Sequence, residues 1–149
     1  MAEISFSVLG TPAPQGSKRH VGNGVMVESS KRVKPWRQDV AAAAEEALTG
    51  LFPFSGAVGV EIEFRFGRAK GHYGTGRNAD VLKPSAPHHH AVRPDVDKMT
   101  RAVLDALKTA GAYKDDAQVT DLHATKIYCR RGQLPGALIT IREIWEQEP

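Results

Sequence analysis

The segment at residues 58–66 constrains the fold of this chain more than any other, because apolar side chains occupy every second position along it. These positions are Val58, Val60, Ile62, Phe64 and Phe66, and the intervening ones include Glu61, Glu63 and Arg65. A period of two places successive side chains on opposite faces of a strand, so one face can pack on a core while the other meets solvent. The segment therefore predicts a half-buried β-strand.

Weaker patterns on both sides of this strand complete the predicted fold. The other predicted elements are a first strand at Ile4–Val8, a loop or ribbon at residues 16–30, a helix over residues 35–49, a helix from Asp95 to just before Gly111, and strands over residues 119–129 and 137–144, joined by a hairpin across residues 130–136. The order β-α-β-loop-α-β-β predicts a single α+β domain over residues 1–149. Its two main helices are expected to pack on a mixed or antiparallel sheet.

Residues 67–92 show no periodicity, and they predict a long flexible loop of the kind that is either functional or disordered. The triplet His88–His90 lies inside this segment. Consecutive histidines cannot all face one metal ion from a regular element, so the triplet favours a polar mobile loop over a transition-metal site. A contact from one histidine to a nucleic-acid phosphate remains open.

Composition limits the compartment and the partner. The single cysteine, Cys129, excludes an intramolecular disulfide and fits a reducing compartment. The sequence has no apolar stretch of about 20 residues and no signal pattern at its start, so we expect a cytoplasmic protein without a membrane partner. The net charge is only +3, but basic residues cluster between Lys18 and Arg37 and again between Arg65 and Arg77. Such clustering suits a polyphosphate partner, although charge runs that merely solvate a surface stay an alternative.

Two pairs of aspartates are the candidate chemical groups. Asp95 and Asp97 follow Pro94 at the predicted start of a helix, where acidic side chains stabilise the helix by about 0.3–1 kcal/mol with no chemistry involved. The adjacent pair Asp115 and Asp116 lies between a helix and a strand, and like charges are grouped at a cost unless they are solvated or share a cation.

Together the two pairs supply the oxygen ligands that hard divalent ions prefer, and a phosphodiesterase with two metal ions needs about three or four such ligands. The predicted metal ligands are therefore Asp95, Asp97, Asp115 and Asp116, with Lys98 and Arg101 beside them. A calcium-binding helix-loop-helix motif, a glycine-rich phosphate loop and a nucleophilic serine motif are all absent from the sequence.

The stretch at residues 93–128 resembles the RusA family of Holliday junction resolvases, which are common in phages and prophages. The motifs that carry the resemblance, in the family's order and spacing, are Asp95-x-Asp97, Leu104-Asp105-Ala106-Leu107, Asp115-Asp116-x-Gln118-Val119 and Lys126. The resemblance implies a homodimer that binds four-way branched DNA and makes paired, symmetric nicks with Mg²⁺ or Mn²⁺.

The resemblance also assigns roles. It makes Asp95, Asp97 and Asp116 catalytic metal ligands, with Asp115 in support. The sequence departs from the family where Lys98 stands in place of Asn and where Arg101 stands in place of Lys on the next helical turn; we retain Arg101 as a catalytic candidate. Candidate contacts to DNA are Lys18, Arg19, Arg32, Lys34, Arg68, Lys70, Arg77, Lys98, Lys126 and Arg130.

The predicted helix length bears on how the acidic pairs meet. If residues 97–110 form one straight helix, Asp97 and Gly111 lie about 20 Å apart. The return from Gly111 to the second pair spans at most ~17 Å, so a compact site within one subunit would be stretched. We therefore predict that each site is completed by both subunits, with the helices antiparallel across a two-fold axis.

Two other functions remain open at this stage. One is a non-catalytic module that binds branched DNA and uses its acidic side chains only to cap a helix. The other is a metal-dependent nuclease that acts on flaps, R-loops or RNA.

Overall fold

The alternating segment forms an inner strand of a four-stranded sheet. The computed structural model describes residues 2–16, 18–20, 22, 26–28 and 31–146. Its strands and long helices are β1 (Glu3–Leu9), β2 (Lys18–His20), β3 (Met26–Glu28), α1 (Val33–Ala47), β4 (Val58–Phe66), α2 (Val96–Thr109), β5 (Val119–Tyr128) and β6 (Gly136–Glu143). The main sheet has the order β1-β6-β4-β5, and β2 and β3 form a separate two-stranded ribbon. The chain is thus an α+β fold with a mixed sheet, as the sequence predicted.

The predicted hairpin between β5 and β6 is wrong. Strand β4 lies between them and pairs in parallel with β5 and antiparallel with β6, so that Ile62 has Ala124 on one side and Ile139 on the other. The turn residues at 130–136 do reverse the chain, but their sequence does not determine which strand β6 pairs with. The apolar strand β4 takes the inner place because its Val58, Ile62 and Phe64 side chains are fully buried.

Both long helices bury one face against this sheet. Helix α1 begins at Val33, two residues before the predicted start, and buries Val33, Trp36, Val40 and Ala44. Helix α2 buries its residues at helical spacing, including Met99, Val103 and Leu107. Trp36 belongs to the core, since its exposed fraction is 2%. None of the helices in the described ranges is long and apolar enough to cross a membrane.

The segment 67–92 is anchored to β5 by backbone and ring contacts. It contains two short 3-10 turns, Lys70–His72 and Gly76–Asn78. His90 stacks on Phe66 with ring centroids 3.8 Å apart, and its backbone N–H donates to the carbonyl oxygen of Lys126. His88 and His89 lie on the surface, in line with the polar loop predicted for the triplet, but His90 is only 7% exposed and belongs to the interior.

The buried imidazole of His90 makes stability depend on pH. Burial, and then the nearby ammonium of Lys126, lower the pKa of His90 below its ordinary value near 6.5. The unfolded chain therefore binds a proton at a higher pH than the folded chain does. This contribution to the free energy of unfolding is fully present above about pH 6.5 and decreases as the pH falls below it.

We expect His90→Phe, which keeps a ring against Phe66 and removes the titrating group, to flatten this pH dependence. The measurement is urea unfolding between about pH 5 and pH 7.5. The exposed His123 supplies a matched control, and His123→Phe should keep the wild-type slope. Equal slopes for wild type and His90→Phe would contradict the assignment.

Candidate active site

The first acidic pair lies at the start of α2 with its carboxylates exposed. Asp95 is the N-cap residue in extended conformation, but its side chain makes no capping hydrogen bond. Its carboxylate instead lies 3.5 Å from the ammonium of Lys98, and both side chains are about half exposed in this i,i+3 pair. Exposed ion pairs of this kind contribute little to stability. Asp97 follows in the first turn, so neither carboxylate is tied into the fold.

The two aspartates of the second acidic pair differ in what they contact: Asp115 bonds to the backbone and Asp116 faces solvent. Asp115 accepts a hydrogen bond from the N–H of Ala117 at 2.9 Å and caps the short 3-10 turn Asp116–Gln118. Asp116 is the first residue of that turn and is exposed. In the part of the chain that the structure describes, its carboxylate has neither a hydrogen bond nor an ion pair with protein. Asp115 therefore caps the turn through one of its oxygens, and the carboxylate of Asp116 is available to a ligand.

Gln118 fixes the turn that carries these aspartates, and the sequence interpretation did not include it among the site residues. Its Oε1 accepts from the backbone N–H groups of Lys114 and Asp115, at 2.9 and 3.1 Å. Its Nε2 donates to the carbonyl oxygens of Phe54 and Gly56, both at 2.9 Å. The spacing Asp115-x-x-Gln118 is that of a capping box, which is the signal that could have identified it.

Asp97 and Asp116 line one groove that runs along α2 beside the edge strand β5. The groove has a volume of about 440 Å³ and is lined by Val96, Asp97, Thr100, Arg101, Leu104, Asp105, Asp116, Leu122 and Ala124. Its apolar wall is open to solvent, with exposed fractions of 38% for Val96 and 46% for Leu122. Charged side chains therefore border an apolar surface that one chain leaves uncovered.

The two aspartates lie toward opposite ends of this groove. Burial raises the pKa of Tyr113, and so do the charges of Asp116 and Asp105. Asp116 follows the last residue of α2 by seven positions, and Tyr113, three residues before Asp116, returns its hydroxyl to that helix. That hydroxyl donates to the carbonyl oxygen of Leu104 at 2.8 Å. Because Asp97 precedes Asp105 by eight residues on the same helix, the two are about 12 Å apart along its axis.

One chain does not gather the carboxylates into a complete cluster. Within the described residues, no three side chains from His, Cys, Asp and Glu are placed to hold one metal ion. Asp97, Arg101 and Asp116 share a groove, while Asp95 stands beside its end and Asp115 is engaged in the turn. This separation agrees with the estimate from helix length that a compact site within one chain would be stretched. That a partner completes the site stays a prediction.

The predicted DNA contacts whose side chains the structure describes fall into three groups. Arg32, Lys34, Lys70, Arg77 and Arg130 are exposed. Arg68 is tied inward by bonds to the carbonyl oxygens of Pro87 and Cys129, and Lys126 by bonds to Val92 and Pro94. Lys98 pairs with Asp95. For Lys18 and Arg19 the structure describes the backbone in β2 but not the side chains. As DNA contacts, all of these remain predictions.

Exposed basic side chains also line a second, larger cleft. Arg130 and Arg131 border it beside Gly67, Arg68 and Asp80, and its volume is about 890 Å³. It lies at the end of β5 opposite Asp116, since Arg130 follows that strand and Asp116 precedes it.

Carboxylates at the start of α2 and on the turn that leads into β5, with exposed arginines and lysines on the same chain, define a candidate nucleic-acid hydrolase. A family model described as endodeoxyribonuclease RusA matches residues 10–142, and the chain therefore belongs to the RusA family. The chain is also 29% identical over 148 residues to the uncharacterized protein YqaN of Bacillus subtilis (strain 168), covering 95% of this chain and 96% of that protein. The resemblance seen at residues 93–128 is thus confirmed and extends over most of the chain.

Family membership defines the class of reaction and of substrate. The RusA family comprises endodeoxyribonucleases, and it acts on branched DNA junctions. The alternatives of a non-catalytic module or an RNA nuclease are therefore disfavoured.

We expect the two adjacent aspartates to differ in their effect on folding. Asp115→Ala removes the acceptor for Ala117 N–H and should lower the free energy of unfolding by about 1 kcal/mol, the usual cost of losing a cap. Asp116→Ala removes an exposed carboxylate and should change it by less than about 0.5 kcal/mol. Urea unfolding without metal measures both, and Asp115→Asn, which keeps an acceptor oxygen, should recover most of the loss. Equal destabilisation by the two alanine variants would contradict these roles.

Proposed function

We propose that this chain is a Mg²⁺- or Mn²⁺-dependent Holliday junction resolvase that acts as a homodimer and makes paired, symmetric nicks. The observation that supports this is the groove along α2, in which Asp97 and Asp116 stand toward opposite ends of an uncovered apolar surface. A second copy laid antiparallel on this surface brings opposite ends together.

The same packing accounts for the exposed apolar residues. A two-fold axis makes each chain contribute the same patch, so Val96, Leu104 and Leu122 would meet their own counterparts or near neighbours. Burial of such surface contributes roughly 25 cal/mol per Å². Asp97 then faces Asp116 of the partner subunit, and this happens twice, once on each side of the axis.

The donor set suits a hard divalent cation. Carboxylate oxygens are the ligands that Mg²⁺ takes in proteins. Asp95 and Asp97 of one subunit would hold it together with Asp116 of the partner subunit. When bound there, Mg²⁺ supplies positive charge against the scissile phosphodiester and activates a water for attack. Asp115 supports the site, because the hydrogen bond that it accepts from Ala117 N–H caps the turn that carries Asp116.

The basic side chains of α2 orient the DNA. Arg101 is exposed in the groove one turn beyond Asp97, where its guanidinium can donate hydrogen bonds to phosphate oxygens. Lys98 balances the charge of Asp95 at the mouth of the site. Two identical sites related by a two-fold axis match the near-symmetric arms of a four-way junction, so the geometry favours cleavage in pairs.

Cleavage of a synthetic four-way junction, mapped to the nucleotide, tests the proposal. Wild type should make matching nicks on opposed strands in Mg²⁺ and none in chelator. Asp97→Asn should retain junction binding and lose cleavage by about 100-fold or more, because it removes a charged ligand. Asp39→Asn, an exposed helical aspartate outside the groove, should cleave like wild type. Preferential cleavage of flaps or linear duplex would contradict junction resolution.

Mixed dimers test whether the sites are shared. In a heterodimer of Asp97→Asn with Asp116→Asn, one composite site loses both ligands and the other stays intact, so single unpaired nicks should return. The matched control is a heterodimer of Asp95→Asn with Asp97→Asn, in which both composite sites are damaged and no nicking is expected. If verified heterodimers of the first pair stay inactive, the shared site is wrong.

A further inference from the structure

We propose that Lys126 is a positioning residue that holds the segment carrying Asp95 and Asp97 against β5. This inference rests on the proposed function, in which those aspartates bind the metal. It differs from the role that the sequence suggested for Lys126, a contact to DNA.

The ammonium of Lys126 donates two short hydrogen bonds to main-chain oxygens. One goes to the carbonyl oxygen of Val92 at 2.6 Å and the other to that of Pro94 at 2.5 Å. Both acceptors lie in the few residues directly ahead of Asp95. Hydrogen bonds from a charged donor are roughly twice as strong as neutral ones, so this pair is a substantial tie.

No other tie replaces it in this part of the described chain. The segment is bonded to β5 through His88 and His90, whose backbone groups pair with Tyr128 and Lys126. Between His90 and the start of α2 at Val96, all of which the structure describes, the backbone makes no further bond to the sheet. Val92 is 58% exposed, so packing does not fix it either. For the described residues 91–95, the hydrogen-bonded link to the sheet is thus the Lys126 side chain.

The position of this link matters because the first metal-binding candidate is the next residue along the chain. Asp95 comes one residue after Pro94 and carries no capping bond of its own. A free segment at 91–94 would leave Asp95 to sample many positions, and ordering it on metal binding would cost conformational entropy. Lys126 reduces that cost before the metal arrives.

Lys126→Met tests the tie, because it keeps the length of the side chain and removes every donor. In metal-free protein, the backbone amides of residues 91–97 should exchange with deuterium faster than in wild type, while those of β4 and β6 stay unchanged. The Mg²⁺ concentration for half-maximal junction cleavage should rise about 10- to 100-fold, as is usual when a partner of a metal ligand is lost. Saturating Mg²⁺ should restore most of the rate, and junction affinity in chelator should stay within about twofold.

Two further variants serve as controls for Lys126→Met. Lys108→Met removes an exposed lysine in the last turn of α2 and should match wild type in every measurement. Lys126→Arg keeps the charge and the donors in another geometry and should give an intermediate Mg²⁺ requirement. If Lys126→Met does not fold, Lys126→Arg takes its place as the test of the tie. A Mg²⁺ requirement of Lys126→Arg equal to that of wild type would then overturn the proposal.

Other outcomes separate the competing roles. Loss of junction affinity with unchanged amide exchange would make Lys126 a DNA contact and overturn the proposal. A loss of rate that saturating Mg²⁺ does not restore would make it part of the chemistry, with the same consequence. If wild type cleaves no junction at all, the proposed function fails, while the exchange of residues 91–97 still reports on the tie alone.

Discussion

The burial of β4 between β5 and β6 is the constraint on which the rest of this structure depends. Because β4 is paired on both sides and its apolar side chains are fully buried, it fixes the plane on which both long helices pack. β5 is thereby left at the sheet edge, beside α2, and the groove between them receives carboxylates from α2 and from the turn that leads into β5. The position of the candidate site therefore follows from the inner position of β4 in the sheet.

The sequence predicted the elements well wherever one face of an element meets the core. The period of two at residues 58–66 and the helical spacing of Met99, Val103 and Leu107 report directly on burial. The neighbour of each strand could not be predicted in this way, since a turn at 130–136 reverses the chain equally well beside β5 or across the end of β4. Similarly, the isolated run of three histidines did not reveal that His90 stacks on Phe66, because that contact joins distant parts of the chain.

In the candidate site, too, the motifs could be predicted from the sequence but the contacts of each side chain could not. The four aspartates are visible as motifs, yet adjacent Asp115 and Asp116 differ in what they touch, one capping a turn and the other facing solvent. A sequence pattern records charge and spacing but not the direction in which a side chain points. Gln118 and Lys126 act through bonds to backbone oxygens in other segments, so their roles depend on the tertiary fold.

The edge of the sheet has a consequence for how copies of this chain can associate. One half of β5 is covered by the segment at 88–90, and the other half presents exposed Asp121 and His123, with Asp121 paired to Arg142. Polar side chains and a covering segment discourage a foreign strand from adding to an open edge. Assembly by extension of the sheet into longer aggregates is therefore disfavoured, and the uncovered helix face is left for the two-fold association proposed above.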